Sequence, residues 1–175
     1  MDLKQFDELS LEFLEYIDKA YSERNFETSI IENFFQRGLN ANAYRIEYDD
    51  DEQIVVPLLS EIFWIIQGQN DDYYGEWIVT ILNMFVTHGL DTTLLDGEFI
   101  IGVFDGLRVS TTTTHIFEAI QILLGLGIST NAVDNAITIF ESEAADLYVP
   151  FGDISAAKRF DKVAEILKEY KKTLI

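Results

Sequence analysis

Two clusters of carboxylates are the groups best placed to do chemistry. The first is Asp49-Asp50-Asp51-Glu52, and the second is Asp71-Asp72, followed at once by Tyr73, Tyr74 and Trp77. Adjacent carboxylates attract Lys and Arg, and an aromatic face beside them adds a second attraction for a cation. The chemistry this suits is capture of the basic groups of another protein. The carboxylates would pair with its Lys and Arg, and Tyr73, Tyr74 or Trp77 would anchor the contact. A calcium loop is a different arrangement, with spaced oxygen ligands and a Gly at a tight turn, and the 49–52 run has neither.

Catalytic motifs are missing. There is no G-x-S-x-G elbow, no H-E-x-x-H pair and no G-x-x-x-x-G-K-[ST] phosphate loop. The two histidines, His88 and His115, stand 27 residues apart, and His88 suits a cation in the last turn of a helix. Gly125-Leu126-Gly127 closes an apolar helical run instead of opening a helix after a strand, so it would not offer amides to a phosphate. With no cysteine, disulfides, thiolate metal sites and a cysteine nucleophile are excluded. The expectation is a non-catalytic protein with no metal and no cofactor. A small-molecule enzyme or carrier remains as an alternative, since any two of the 31 acidic residues could meet in a helical pocket.

Charge narrows the partner. The chain has 175 residues, with 31 Asp and Glu against 12 Lys and Arg, a net of -19. Residues 1–157 hold 28 of the acids and only six of the bases, so the body is at -22 and the end of the chain at +3. Such a field repels nucleic acid and anionic membrane and speeds association with a basic protein. It also serves simply to keep an aliphatic-rich chain from associating.

The elements that must position these groups read as helices. Hydrophobic residues make up 48% of the chain and aromatics 13%, ample for a core, while only two prolines interrupt it. The greasiest stretch, 54–66, is broken by Pro57, Ser60 and Glu61, so no membrane span is expected. The opening residues lack the basic and apolar regions of a signal peptide, and the cytoplasm is the expected location.

Three glycines punctuate the pattern. Gly38, Gly89 and Gly127 each close a run with apolar residues eight, seven, four and three positions earlier and an aliphatic one position later. Those offsets form one stripe of an α-helix. A Gly there can adopt the left-handed conformation that ends a helix, with the next aliphatic folding back in a Schellman-type cap.

Phe34-Phe35-Gln36-Arg37-Gly38-Leu39-Asn40 and Phe85-Val86-Thr87-His88-Gly89-Leu90-Asp91 resemble the end of the second helix of an ankyrin repeat, and Leu123-Leu124-Gly125-Leu126-Gly127-Ile128-Ser129 does so more weakly. Residues 162–170 resemble the same helix without its closing Gly. The glycine intervals of 51 and 38 residues, and the missing Thr-Pro-Leu-His opening, mark any such repeats as divergent.

The resemblance implies an all-α fold of stacked antiparallel helical hairpins, ankyrin-like or a related α-solenoid, with about eight helices in one domain spanning 1–175. An unrelated helical bundle would show the same glycine-ended runs. The expected hairpins are 3–38, 54–89, 94–127 and 131–173. An acidic loop over 40–53 includes Tyr44-Arg45-Ile46-Glu47-Tyr48, which alternates like a strand over only five residues. The acidic run would then precede a helix over 54–67 that accepts Pro57 in its first turn. Residues 98–104 suit a strand as well as a helix, and a helix is expected from their neighbours. Small acidic modules of this kind are similar to immunity proteins that block a toxin and to proteins that mimic nucleic acid. An ankyrin-like adaptor with incidental charge is the plainer alternative.

Overall fold

Asp7 sets the start of the first long helix. Its carboxylate accepts hydrogen bonds from the Ser10 amide (3.0 Å) and the Ser10 hydroxyl (2.9 Å), satisfying a donor that the helix itself leaves unpaired. The computed structural model describes residues 4–49, 52–66, 72–91, 113–127, 130–146 and 154–173. In chain order the elements are β1 (Lys4–Gln5), α1 (Glu8–Ser22), α2 (Thr28–Gln36), β2 (Ala43–Asp49), β3 (Glu52–Pro57), α3 (Leu58–Ile66), α4 (Asp72–Thr87), α5 (Thr113–Gly125), α6 (Thr130–Asp146) and α7 (Ile154–Thr173). The chain is thus mostly helical, but it also contains a small sheet.

The apolar stripes face inward as their spacing requires. Phe13, Ile17, Ala20 and Tyr21 of α1 are buried, as are Ile31, Phe34 and Phe35 of α2. They meet in a cluster of rings, with Phe13 at 5.0 Å from Phe34 and Phe35 edge-on to Phe85 of α4 at 5.3 Å. One apolar core continues from Phe13 through α3 and α4 to Phe140 and Leu167 of the last two helices. Helix α1 packs on α2 and α3, α4 on α3 and α5, and α7 on α5 and α6.

The three glycines end their helices in one manner. All have positive φ, +101° at Gly38, +83° at Gly89 and +77° at Gly127. Gly38 N donates to Phe35 O and Leu39 N to Phe34 O, the two bonds of a Schellman cap, and Gly89 and Leu90 repeat them onto Val86 and Phe85. Gly127 N donates to Leu124 O in the same way. Leu39 and Leu90 are buried behind their glycines, so each cap turns the chain and closes the core at once.

The expected acidic loop over 40–53 is instead a β-hairpin, which adds a small sheet to the expected, mostly helical fold. Strands β2 and β3 pair antiparallel from Tyr44↔Pro57 to Asp49↔Glu52, and β1 adds in parallel at Lys4↔Ala43 and Gln5↔Tyr44. The physical reason lies in two short patterns that complete each other. Tyr44, Ile46 and Tyr48 alternate on one strand, and Ile54-Val55-Val56 supplies β-branched residues for the other. Pro57 ends β3, so the helix starts at Leu58, six positions after Glu52, which pairs with Asp49 at the end of the ladder. The favourable charge at a helix N-terminus expected for the acidic run does not arise.

Two side chains fasten the base of the hairpin. The Asn42 side chain donates from Nδ2 to Gly89 O (2.9 Å) and accepts from Asp91 N at Oδ1 (2.5 Å). Its own amide donates to Asn40 Oδ1 (2.9 Å). The segment after the first glycine is thereby joined to the segment after the second. The first helix expected in the 94–127 unit, and the strand-or-helix question over 98–104, fall outside the described residues. No helix among the described residues is long and apolar enough to cross a membrane.

Candidate protein-binding surface

Antiparallel pairing sorts the hairpin residues onto two faces. Arg45, Glu47, Ile54 and Val56 share one face, while Tyr44, Ile46, Tyr48, Gln53, Val55 and Pro57 share the other. Burial falls steeply along the hairpin. Ala43 and Pro57 at its base are buried, whereas Ile54 is 41% exposed, Val55 44% and Tyr48 75%. Apolar side chains are therefore held in water on both faces of its outer half.

Arg45 fixes how the hairpin lies against α3. Its guanidinium reaches Glu61 of α3 through Nη2 (2.7 Å) and Nε (3.0 Å), and Glu47 on its own strand through Nη2 (2.6 Å). Exposed ion pairs add little stability, about 0–1 kcal/mol, so the consequence is mainly one of position. One helical turn beyond Glu61 stands Trp64, 73% exposed. The buried residues of α3 are Leu58, Leu59, Ile62, Phe63 and Ile66, which leaves position 64 on the opposite side. Glu61 of α3 thus joins Arg45 and Glu47 on this face of the hairpin, and Trp64 is exposed on the outer side of α3.

Of the expected partner-binding residues, some fall among the described ones. Asp49 and Glu52 face each other as the last pair of the ladder. Asp50 and Asp51, which link them in sequence, lie outside the described residues, as does Asp71. Asp72 opens α4, and Tyr73 and Tyr74 lie in its first turn. Trp77 points inward. Its ring stacks on Phe26 at 3.9 Å with 26° between planes and packs against the core, so its structural part is at the edge of the core.

Sequence reasoning missed Trp64, Tyr48, Ile54 and Val55. A signal existed for Trp64, because it falls off the stripe formed by 58, 59, 62, 63 and 66. For the hairpin residues the signal was pairing, which no single strand displays alone.

His88 also acts differently from an isolated helix-end cation. It follows α4 directly, its Nε2 lies 3.0 Å from Glu32 Oε2, and its ring stacks flat on Phe35 at 4.0 Å, joining α4 to α2. The +3 balance of the last helix is likewise largely consumed internally. Lys168 pairs with Glu141, and Lys171 Nζ lies 2.6 Å from Asp134 Oδ1, both on α6. Between α1 and α2, Arg37 clasps Glu12 with two hydrogen bonds of 2.8 and 2.5 Å, and that bonding holds the Glu12 carboxyl below its ordinary range. Among the described residues, no three His, Asp or Glu side chains gather as a metal ion would require.

No protein family, curated protein or solved structure matches the chain. The surface itself is what remains to indicate function. It offers exposed apolar side chains, Tyr48, Ile54 and Val55, on a hairpin that also carries Glu47.

Proposed function

We propose that this protein is a non-catalytic binding module that captures, and thereby neutralises, a basic protein. The observation that supports this reading best is the hairpin, with Trp64 on the helix that follows it. Tyr48, Ile54 and Val55 are exposed on a hairpin that carries Glu47, and Trp64 is exposed on α3, in a chain whose net charge is -19. Carboxylates accelerate the approach of a cationic partner, and exposed aromatic and aliphatic side chains supply the affinity once water is expelled. Asp49, Asp50, Asp51 and Glu52, with Asp71 and Asp72, would occupy the Lys and Arg with which such a partner holds phosphate.

The scaffold is proposed to be a divergent, ankyrin-like stack of helical hairpins. Three features support it: the Schellman caps at Gly38 and Gly89, the β-hairpin between one helix pair and the next, and the Asn42 bracket from one post-glycine segment to the following one. In such a stack the hairpin is a finger, placed to reach a partner.

The test is charge reversal over 49–51 combined with truncation of Trp64. Asp49→Lys, Asp50→Lys and Asp51→Lys together should slow association with the captured partner and flatten its salt dependence. Trp64→Ala should instead speed dissociation. Kinetics unchanged in both variants would remove the hairpin surface from the account.

A further inference from the structure

The direction of the backbone groups on β3 follows from one hydrogen bond. Phe6 N donates to Tyr44 O (2.9 Å), so the Tyr44 carbonyl points toward β1 and away from β3. Alternation along an antiparallel ladder then turns Ile46 and Tyr48 the same way and turns Arg45, Glu47 and Asp49 toward β3. Their partners Glu52, Ile54 and Val56 point back at β2, which leaves Gln53, Val55 and Pro57 directed outward. Pro57 has no N–H to offer, and an outward position on an edge strand is where that lack is harmless.

Among the described residues, the outer edge of β3 is open. In the order β1-β2-β3 it is a terminal strand, and Gln53, Ile54 and Val55 are exposed in succession. Among the described residues, no strand pairs with it. An edge of this kind is a template for another chain unless something guards it. What guards it here is charge. Asp49 and Glu52 close the ladder, Glu47 lies across it from Ile54, and the whole chain is at -19. A second copy would bring an equal negative charge to the edge and be repelled, whereas a basic strand is attracted.

We propose that the outer edge of β3 takes an extended segment of the partner as an added strand, one whose side chains alternate between apolar and Lys or Arg. The inference rests on the reading of the protein as a binder of a basic partner and specifies how that partner is held. The outward amides and carbonyls of Gln53 and Val55 bond the added backbone, the mode of recognition by strand addition. Its apolar side chains lie on the face of Ile46, Tyr48 and Val55, and its basic ones on the face of Glu47.

The probe is the peptide Lys-Val-Lys-Val-Lys-Val-Lys, titrated to about 1 mM, a range that detects even weak complexes, into the full ¹⁵N-labelled chain. Two comparison peptides are used: the same sequence N-methylated at alternate residues, and a Lys-Gly-Ser peptide of equal charge. The expected result is shifts and slowed hydrogen exchange at the Gln53 and Val55 amides with the first peptide alone.

Val55→Pro removes an outward N–H while leaving the ladder to β2 intact, and it should weaken binding at least tenfold. Gln53→Pro, also outward, is the second variant should the first disturb the hairpin, as judged by contacts between Glu47 and Ile54. Shifts equal for all three peptides and confined to Asp49 and Glu52 would overturn strand addition while leaving the charge-based reading in place. No response to any peptide at low salt would remove both. A dimer of the free chain that protects Val55 would assign the edge to a second copy and overturn the proposal.

Discussion

Gly125 and Gly127 are separated by one residue, yet replacement by Ala should move stability in opposite directions. At Gly127, with φ +77°, an added Cβ meets no heavy atom within 4 Å, so the whole effect is conformational. Forcing an L-residue into the left-handed region costs about 1–2 kcal/mol. The stiffer unfolded chain adds no compensation where φ is positive. At Gly125, the last residue of α5, a Cβ also meets nothing within 4 Å, but the backbone is helical. Here Ala gains up to about 0.5–1 kcal/mol from its higher helix propensity. Gly38→Ala and Gly89→Ala should behave like Gly127→Ala, because they share its geometry and its empty surroundings.

Urea unfolding of the full chain measures these differences, with the slope held constant between variants. For a chain of this size each kcal/mol corresponds to roughly 2–4 °C in Tm. A Gly127→Ala variant as stable as the parent, or Gly125 and Gly127 variants that shift together, would refute the cap argument. Gly127→Asn offers an internal check, since Asn tolerates the left-handed region better and should lose less than Ala.

Asn42→Ala deletes both halves of the bracket, a loss of about 0.5–1.5 kcal/mol for each hydrogen bond, with faster hydrogen exchange at Asp91 as the local readout. Phe13→Ala opens the fully buried ring cluster and should cost about 3–5 kcal/mol by the same unfolding assay. Arg37→Ala should raise the Glu12 titration toward its ordinary 4.5. Because the folded-state carboxyl is depressed, whatever stability the pair adds is present above the unfolded value and fades as pH falls through the folded one, so the variant should lose less on acidification. Carbon-detected carboxyl titration follows this directly.

The helices were legible because each carries its own signal. The stripe at Phe13, Ile17 and Tyr21, or at Val133, Ile137 and Phe140, declares a buried face within one element, and the three glycines declare where to stop. The hairpin was not legible because its signal is shared. Tyr44 to Tyr48 alone is too short for a strand, and Ile54 to Val56 reads equally as the start of a buried helix. Only pairing, with Arg45 opposite Val56 and Glu47 opposite Ile54, gives both segments their hydrogen bonds. The candidate surface followed the same division. Its acidic residues could be read from composition, and Trp64 from its place off the stripe of α3, but Val55 became visible as a surface residue only once the fold showed which side of β3 meets water. Trp77, chosen for its acidic neighbours, turned toward Phe26 because an aromatic near a helix start gains more from a core edge than from solvent.

The central claim is that the acidic hairpin surface captures a basic protein. Its most direct test is capture from the source organism's lysate by the parent chain and by the Asp49→Lys, Asp50→Lys, Asp51→Lys variant in parallel. Washes at about 0.05 M and then about 0.5 M salt shorten the screening length from roughly 14 Å to 4 Å. The account predicts a stoichiometric basic protein held by the parent at low salt, weakened at high salt, and absent from the variant at both. A partner that is retained equally by the two chains, or that ignores salt, would contradict it.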